Sequence, residues 1–543
     1  MKNLSFIIAF CLIIPQLFAQ KQVKEYDRLM SSLFTDSGPG GAALVVMDGK
    51  ILYRNAYGMA DMELVVKMTP DNIFRIGSIT KQFTAAAILK LRDEGKLDLD
   101  DPITKYIEDY PMHGHKITIK HLLTHTSGIQ SYTGMEEFRD IVKDDYTTED
   151  LTNFFKYQPM RFAPGEEWNY SNSGYFLLGV IIEKASGMSY EEYINTNFFQ
   201  PLGMTHSSYG SPAKIIKNRA KGYKKEEEEY FNADYISMSQ PFSAGALLST
   251  VDDLYKWYDA MMKDQVISSS SREEAQTSFV LNNGEKTGYG YGWNIGNIQG
   301  VPSIHHGGGI DGYLTYSIYL PSKNLFVGVF SNCTCNSTED IGKRMAAVAI
   351  GEPFDREPIK LKEDVLKSYA AVYESQKDGQ RIITYEDGHL YSLRTGGVKY
   401  EIWPWEKDKL FFKSTTTLQI NRDSNGEIVA VTSRDDRGET VWNRTDKPLP
   451  EALVTIKVDD AITDSYVGKY ELQPGFNVLI FKEEGKLYAQ APNQPKFEIA
   501  PIEENVFKFT TADVKIVFNK DESGAVTSLT IHQRGEHEAK KVE

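Results

Sequence analysis

The last third of the chain repeats itself. Tyr369 and Tyr373 recur as Tyr466 and Tyr470, Asp387-Gly388-His389-Leu390-Tyr391 as Glu484-Gly485-Lys486-Leu487-Tyr488, and Arg437-Gly438-Glu439 as Arg534-Gly535-Glu536, each pair about 97 residues apart. One spacing held across several positions means two copies of one structural unit. Inside each copy, short alternating runs of apolar and polar residues are broken by tight-turn dipeptides, the pattern of half-buried strands joined by hairpins. From about Lys360 onward the sequence therefore predicts two small antiparallel β barrels or sandwiches, over 360–447 and 460–543, divided near Lys447-Pro448-Leu449-Pro450. Neither copy carries a nucleophile with its base, a metal cluster or a basic stripe. Their expected role is to shape or cover the part of the chain that precedes them.

A chain of 543 residues with 41% hydrophobic content has room for more than one core. Its formal net charge of −15, without an evident basic face, argues against a nucleic-acid partner. Met1-Lys2, an apolar run from Leu4 to Phe18 and then Ala19-Gln20 have the order of a secretory signal peptide over 1–19, with cleavage expected after Ala19. The run is short for a membrane span and contains Pro15, and nothing later approaches about 18 consecutive apolar residues. The mature chain is expected to be exported, periplasmic or secreted, with no transmembrane segment. Cys333 and Cys335 are read as small residues closing a strand and not as a disulfide framework. Two cysteines are too few for a structural zinc site.

Over 20–355 the pattern mixes strands and helices. Gly41 to Tyr57 reads as a hairpin turning at Asp48-Gly49. Thr250-Val251-Asp252-Asp253 resembles a capping box opening a helix from Leu254 to Met261. Tyr313 to Leu320 and Leu325 to Phe330 flank the turn Pro321-Ser322-Lys323-Asn324. Strands at both ends of a segment with helices between them predict an antiparallel sheet assembled from distant parts of the chain and packed by helices, an α+β domain. Lys224-Lys225-Glu226-Glu227-Glu228-Glu229 is read as an exposed loop.

The chemistry starts at Ser78-Ile79-Thr80-Lys81, which opens the apolar stretch Gln82 to Leu89. Residues three apart share a helix face, so the Lys81 amine can lie beside the Ser78 hydroxyl. Unpaired N–H groups at a helix start favour negative charge, whether on an ionising serine or on an oxyanion. A lone Ser-x-x-Lys is equally an ordinary helix cap with a solvated lysine. Two further segments change that balance: Trp168-Asn169-Tyr170-Ser171-Asn172, and His305-His306-Gly307-Gly308-Gly309-Ile310-Asp311.

With Ser-x-x-Lys, a Tyr-x-Asn turn and a His-x-Gly strand in that order, the chain resembles the serine β-lactamase and penicillin-binding protein superfamily. Tyr170-Ser171-Asn172 and the context His121-Leu122-Leu123-Thr124-His125-Thr126-Ser127-Gly128 look like its class C β-lactamase branch, which includes D-aminopeptidases, DD-peptidases and esterases. The resemblance spans roughly Tyr26 to Gly351. It implies an antiparallel sheet flanked by helices with an all-helical subdomain, and a three-part layout like that of D-aminopeptidases of this family.

The resemblance further implies that Ser78 forms an acyl-enzyme, that Lys81 and Tyr170 share the proton transfers, and that Asn172 fixes Lys81 and the substrate amide. The backbone N–H groups of Ser78 and Gly309 would form the oxyanion hole, with Gly307, Gly308 and Gly309 letting substrate approach the edge strand. His121, His125, Ser127 and Gly128 are expected to build the helical subdomain, with no part in the chemistry.

This sequence departs from the β-lactamases at His306-Gly307-Gly308, where that group carries Lys-Thr-Gly. A histidine with an ordinary pKa of about 6.5 is mostly neutral at pH 7, and glycine supplies no hydroxyl. Recognition of a substrate carboxylate is thereby weakened, which favours peptides or amides containing D-amino acids, or esters. The partner expected is a small peptide, amide or ester; no metal or other cofactor is required. Two other readings compete: a class C-like β-lactamase or esterase, and a non-catalytic peptidoglycan- or peptide-binding protein that keeps the fold. Asp311 is read as a turn residue within reach of a substrate amine.

Overall fold

A computed structural model of the chain describes residues 20–435, 438–450, 454–473, 476–492, 494–533 and 535–542. The signal-peptide reading over 1–19 lies outside the described residues, as do Arg437 and Arg534 of the repeat. The described residues divide into two compact units, one running to Phe354 and the other holding most of the remainder.

The first unit is built on a six-stranded antiparallel sheet. Its strands are β1 (Gly41–Met47), β2 (Lys50–Tyr57), β3 (Asn294–Ile298), β4 (Val301–Ile310), β5 (Tyr313–Leu320) and β6 (Leu325–Ser331), in the order β3-β4-β5-β6-β1-β2. The two ends of the segment meet where Gly41 to Met47 pairs with Ser331 to Leu325. Both faces are covered, and the period of two assigns each side chain to one of them. Ala42, Leu44, Val46, Phe326 and Phe330 join the core on one face, whereas Ala43, Val45, Leu325, Val327 and Val329 join the core on the other.

Four helices matter for the site: α1 (Thr80–Asp93), α2 (Asn172–Ser186), α3 (Val251–Met262) and α4 (Thr338–Ala349). Phe83 of α1 stacks on Trp257 of α3 at 4.0 Å, and both rings are fully buried. Burial of two large aromatics anchors the helix that carries Lys81; truncation of such a residue costs about 3–5 kcal/mol. Thr250 caps α3, its hydroxyl accepting the Asp253 N–H at 3.1 Å, but the reciprocal half of the expected capping box is missing, because the Asp253 carboxylate accepts from the His206 N–H and the Ser207 hydroxyl instead. The charged run Lys224 to Glu229 is exposed but ordered, lying in a two-stranded ribbon of Tyr223–Glu226 with Glu229–Asn232.

One cysteine expectation is overturned. Cys333 and Cys335 form a disulfide just after β6. The turn that ends the strand brings the two side chains to the same side, which a count of cysteines does not reveal.

The second unit holds two closed eight-stranded antiparallel barrels, from Ala371–Ser375 to Gly438–Arg444 and from Gly468–Gln473 to Glu536–Lys541. Each closes by pairing its first strand with its last, Tyr373 opposite Arg444 and Tyr470 opposite Lys541. The repeated tyrosines do the same work in both copies. Tyr373 donates its hydroxyl to the Tyr369 carbonyl, and Tyr470 donates to the Tyr466 carbonyl, each at 2.8 Å and buried.

Candidate active site

Ser78 lies in a single 3-10 turn, Gly77–Ile79, immediately before α1, so the serine precedes the helix instead of sitting on it. Gly77 takes a left-handed φ of +51°, and a Cβ there would come within 2.9 Å of the Gly309 nitrogen. Only glycine combines that backbone angle with so close an approach. The serine turn is thereby pressed against β4.

Lys81 is fully buried, and its amine makes three contacts: Ser78 Oγ at 3.0 Å, Asn172 Oδ1 at 2.8 Å and the Ala244 carbonyl at 2.8 Å. No carboxylate is among these partners. Burial pushes its pKa well below the usual lysine value. Two of the three partners can only accept hydrogen bonds. A neutral amine donates its two N–H groups to Asn172 and Ala244 and turns its lone pair to the Ser78 hydroxyl; the protonated amine donates to all three. The same framework therefore fits both protonation states.

Tyr170 and Asn172 flank Ser171, which caps α2 by accepting the Gly174 N–H at 3.3 Å. The cap fixes where the helix begins and places both neighbours beside Lys81. Asn172 is held from three directions. Its N–H reaches Ser131 Oγ at 3.0 Å, its amide nitrogen donates to Thr133 Oγ1 at 2.9 Å, and its amide oxygen accepts from Lys81. The amide nitrogen expected to meet substrate is thus engaged with Thr133. The Tyr170 ring lies 4.8 Å from the Lys81 amine. Its hydroxyl is buried with no direct hydrogen-bond partner, and burial drives its pKa well above that of free tyrosine, opposed by the Ser78 hydroxyl beside it.

His306 is buried on β4. Its Nδ1 lies 2.6 Å from the Gly307 carbonyl and its Nε2 lies 3.0 Å from the Tyr289 hydroxyl. A carbonyl only accepts, so Nδ1 carries the proton and Nε2 accepts from Tyr289. Burial, reinforced by Lys81, pushes its pKa down to about 3. The ring is neutral throughout the physiological range.

The three glycines after His306 have different roles. A Cβ on Gly308 would lie 1.9 Å from the Ile76 carbonyl oxygen and 2.4 Å from Thr315 Oγ1, so this glycine serves the approach of the serine turn and not of substrate. Gly307 and Gly309 have room for a Cβ, with nearest neighbours at 3.7 Å and 3.4 Å. β3 pairs with β4 only from Val301 to His305. Beyond His305, the side of β4 away from β5 has no strand partner among the described residues, leaving an open edge beside Ser78. At its far end Asp311 is partly buried, and burial raises its pKa.

Sequence reasoning missed Thr133, the Ala244 carbonyl, Tyr289 and the surroundings of His125. The His125 ring is buried 4.3 Å from that of Tyr170 and 4.7 Å from that of Tyr289. Among the described residues no cluster of side chains could hold a metal ion, and no helix is long and apolar enough to cross a membrane.

A family model described as Beta-lactamase matches residues 24–352, and one described as Domain of unknown function (DUF3471) matches residues 454–542. Penicillin-binding protein 4* of Bacillus subtilis (strain 168) is 30% identical over 428 residues, covering 73% of this chain and 92% of that protein. The octameric penicillin-binding protein homologue from Pyrococcus abyssi superposes with a TM-score of 0.55 at 30% identity, over 78% of this chain and 99% of that one. A D-stereospecific amidohydrolase from Streptomyces sp. does so with a TM-score of 0.52 at 25% identity, over 60% of this chain and 97% of that one. With its Beta-lactamase match covering more than half of its length, the chain belongs to the serine β-lactamase and penicillin-binding protein superfamily of hydrolases.

Proposed function

We propose that this protein is an exported serine hydrolase that cleaves amide or ester bonds through an acyl-enzyme on Ser78, with D-amino-acid-containing peptides or amides as favoured substrates. The observation that carries the reading is the buried, carboxylate-free Lys81 amine, 3.0 Å from Ser78 Oγ and with both of its N–H groups committed elsewhere. A neutral amine so placed is a general base for the serine.

The steps balance with the groups at hand. Lys81 takes the Ser78 proton as Oγ attacks the substrate carbonyl, and the oxyanion is held by the Ser78 and Gly309 N–H groups. Tyr170, kept protonated by burial, gives its proton to the departing nitrogen or alkoxide. The Lys81 ammonium stabilises the phenolate left behind. In the second half, the phenolate takes a proton from water as that water attacks the acyl carbonyl. Ser78 leaves and recovers its proton from Lys81.

The substrate preference rests on His306. A neutral ring that accepts from Tyr289 offers no cation to a carboxylate next to the scissile bond, which disfavours β-lactams and C-terminal D-alanine peptides. Similarity to a D-stereospecific amidohydrolase points the same way. The Cys333–Cys335 disulfide suits an oxidising compartment, in keeping with export. The test is a panel of D-aminoacyl amides, D-Ala-D-Ala peptides, short-chain esters and a cephalosporin, run with the wild type and Ser78→Ala. Turnover of a D-aminoacyl amide that exceeds the carboxylate-bearing substrates and vanishes in Ser78→Ala is expected. A cephalosporin turned over fastest would instead favour the β-lactamase reading.

A further inference from the structure

His125 grips the peptide on both sides of Tyr170. Its backbone carbonyl accepts the Asn169 N–H at 3.0 Å, and its ring Nδ1 accepts the Ser171 N–H at 3.1 Å. Between those two bonds its ring lies against the ring of the tyrosine, with centroids 4.3 Å apart. We infer that His125 is a positioning residue, which sets the location of the Tyr170 hydroxyl relative to Ser78 through one side-chain and one main-chain hydrogen bond and a ring contact.

A residue serving only to fill the helical subdomain would not be built this way. Its backbone is left-handed, with φ +58°, a conformation that costs a non-glycine residue on the order of 1 kcal/mol or more. Its Nε2 is buried without a hydrogen-bond partner. An apolar side chain would avoid that desolvation, so the local chemistry disfavours histidine unless the Nδ1 acceptor is needed. Burial and the nearby Lys81 and His306 keep the ring neutral. An acceptor at Nδ1 then requires the proton on Nε2. Among the described residues no other bonds the peptide on both sides of Tyr170, whose own hydroxyl makes no direct hydrogen bond. The left-handed turn aims the carbonyl and the ring at the same loop.

Only the activity readout of the test rests on the serine-hydrolase reading. His125→Gly keeps the left-handed backbone and the carbonyl but removes the acceptor and the ring. His125→Asn keeps the backbone angle without strain and offers Oδ1 to the Ser171 N–H. In the full chain, kcat for the best substrate of the panel is expected to fall about 100-fold in His125→Gly with KM changed less than about 3-fold, and to stay within about 10-fold in His125→Asn. Crystal structures of the two variants report the Tyr170 hydroxyl directly: displaced in the first, retained in the second. A second measurement needs neither variant activity nor turnover. The 15N shifts of the His125 ring in the wild type, labelled at histidine and assigned by difference against His125→Asn, are expected to show an unprotonated Nδ1 and a protonated Nε2 from pH 6 to 9. A protonated Nδ1 overturns the inference, because it cannot accept from Ser171. So does a folded His125→Gly with Tyr170 in place and wild-type kcat. If the wild type turns over no substrate, the hydrolase reading fails, while the ring shifts and the Tyr170 position still decide the role of His125.

Discussion

The Asn172 side-chain oxygen lies 2.8 Å from the Lys81 amine, and its amide nitrogen lies 2.9 Å from Thr133 Oγ1. A flipped amide would set N–H against the N–H that Lys81 donates and lose that bond, whereas the Thr133 hydroxyl can bond either amide atom. Lys81 therefore fixes the orientation of the amide, and the N–H it commits to the oxygen helps leave its lone pair to Ser78.

Asn172→Asp places a carboxylate beside Lys81. An opposite charge favours the protonated amine and raises a pKa by about 1–3 units. The base must be neutral to act, so the acid limb of the pH–rate profile moves to higher pH and activity at pH 7 falls, with recovery in alkali. A pH–rate series on the best substrate checks this; an unmoved limb contradicts it.

His306 predicts an acid sensitivity. Its folded-state pKa of about 3 lies below the unfolded value near 6.5, so the unfolded chain binds the proton first. The contribution to stability is complete above pH 6.5 and is lost as pH falls toward 3. Between pH 7 and 5, denaturant titrations are expected to show the wild type losing about 2 kcal/mol more than His306→Asn. His306 should add no limb to the activity profile between pH 5 and 9.

Gly308 and Gly309 should respond unequally to a methyl group. Gly308→Ala drives Cβ into the Ile76 carbonyl and is expected to cost about 3 kcal/mol and most of the activity. Gly309→Ala meets only Leu314 at 3.4 Å, and its melting temperature should stay close to that of the wild type. Thermal unfolding of the pair is the check.

How much of this could be read from the chain depends on distance along it. The alternation in Ala42 to Val46 and Leu325 to Phe330 assigns sheet faces by period alone, and the 97-residue repeat fixes the duplication of the barrels. Ser78 and Lys81 are legible together because three positions bring them to one side. Thr133 and Asn172 are 39 residues apart, and Lys81 and Ala244 are 163 apart. Neither contact leaves a local pattern. The glycine run after His306 signals close approach, but not whether the approaching atom belongs to substrate or, as at Gly308, to Ile76. The Cys333–Cys335 bond depends on the turn between the cysteines and not on their number.

The duplicated tyrosines offer a matched pair. Tyr373→Phe and Tyr470→Phe each remove one buried hydroxyl from an equivalent carbonyl, at a cost of about 1 kcal/mol apiece. Because the two sites share no partner, the double variant should lose the sum. Denaturant unfolding of the three variants measures it.

The central claim is that Ser78 is a nucleophile activated by a neutral Lys81. Labelling with a fluorophosphonate probe, followed by mass spectrometry of the tryptic peptide, addresses it most directly. The account predicts an adduct on Ser78 at pH 7, formed about 10²–10⁴-fold more slowly in Lys81→Met. Ser78 left unlabelled from pH 6 to 9, or labelled as fast without Lys81 as with it, would contradict it.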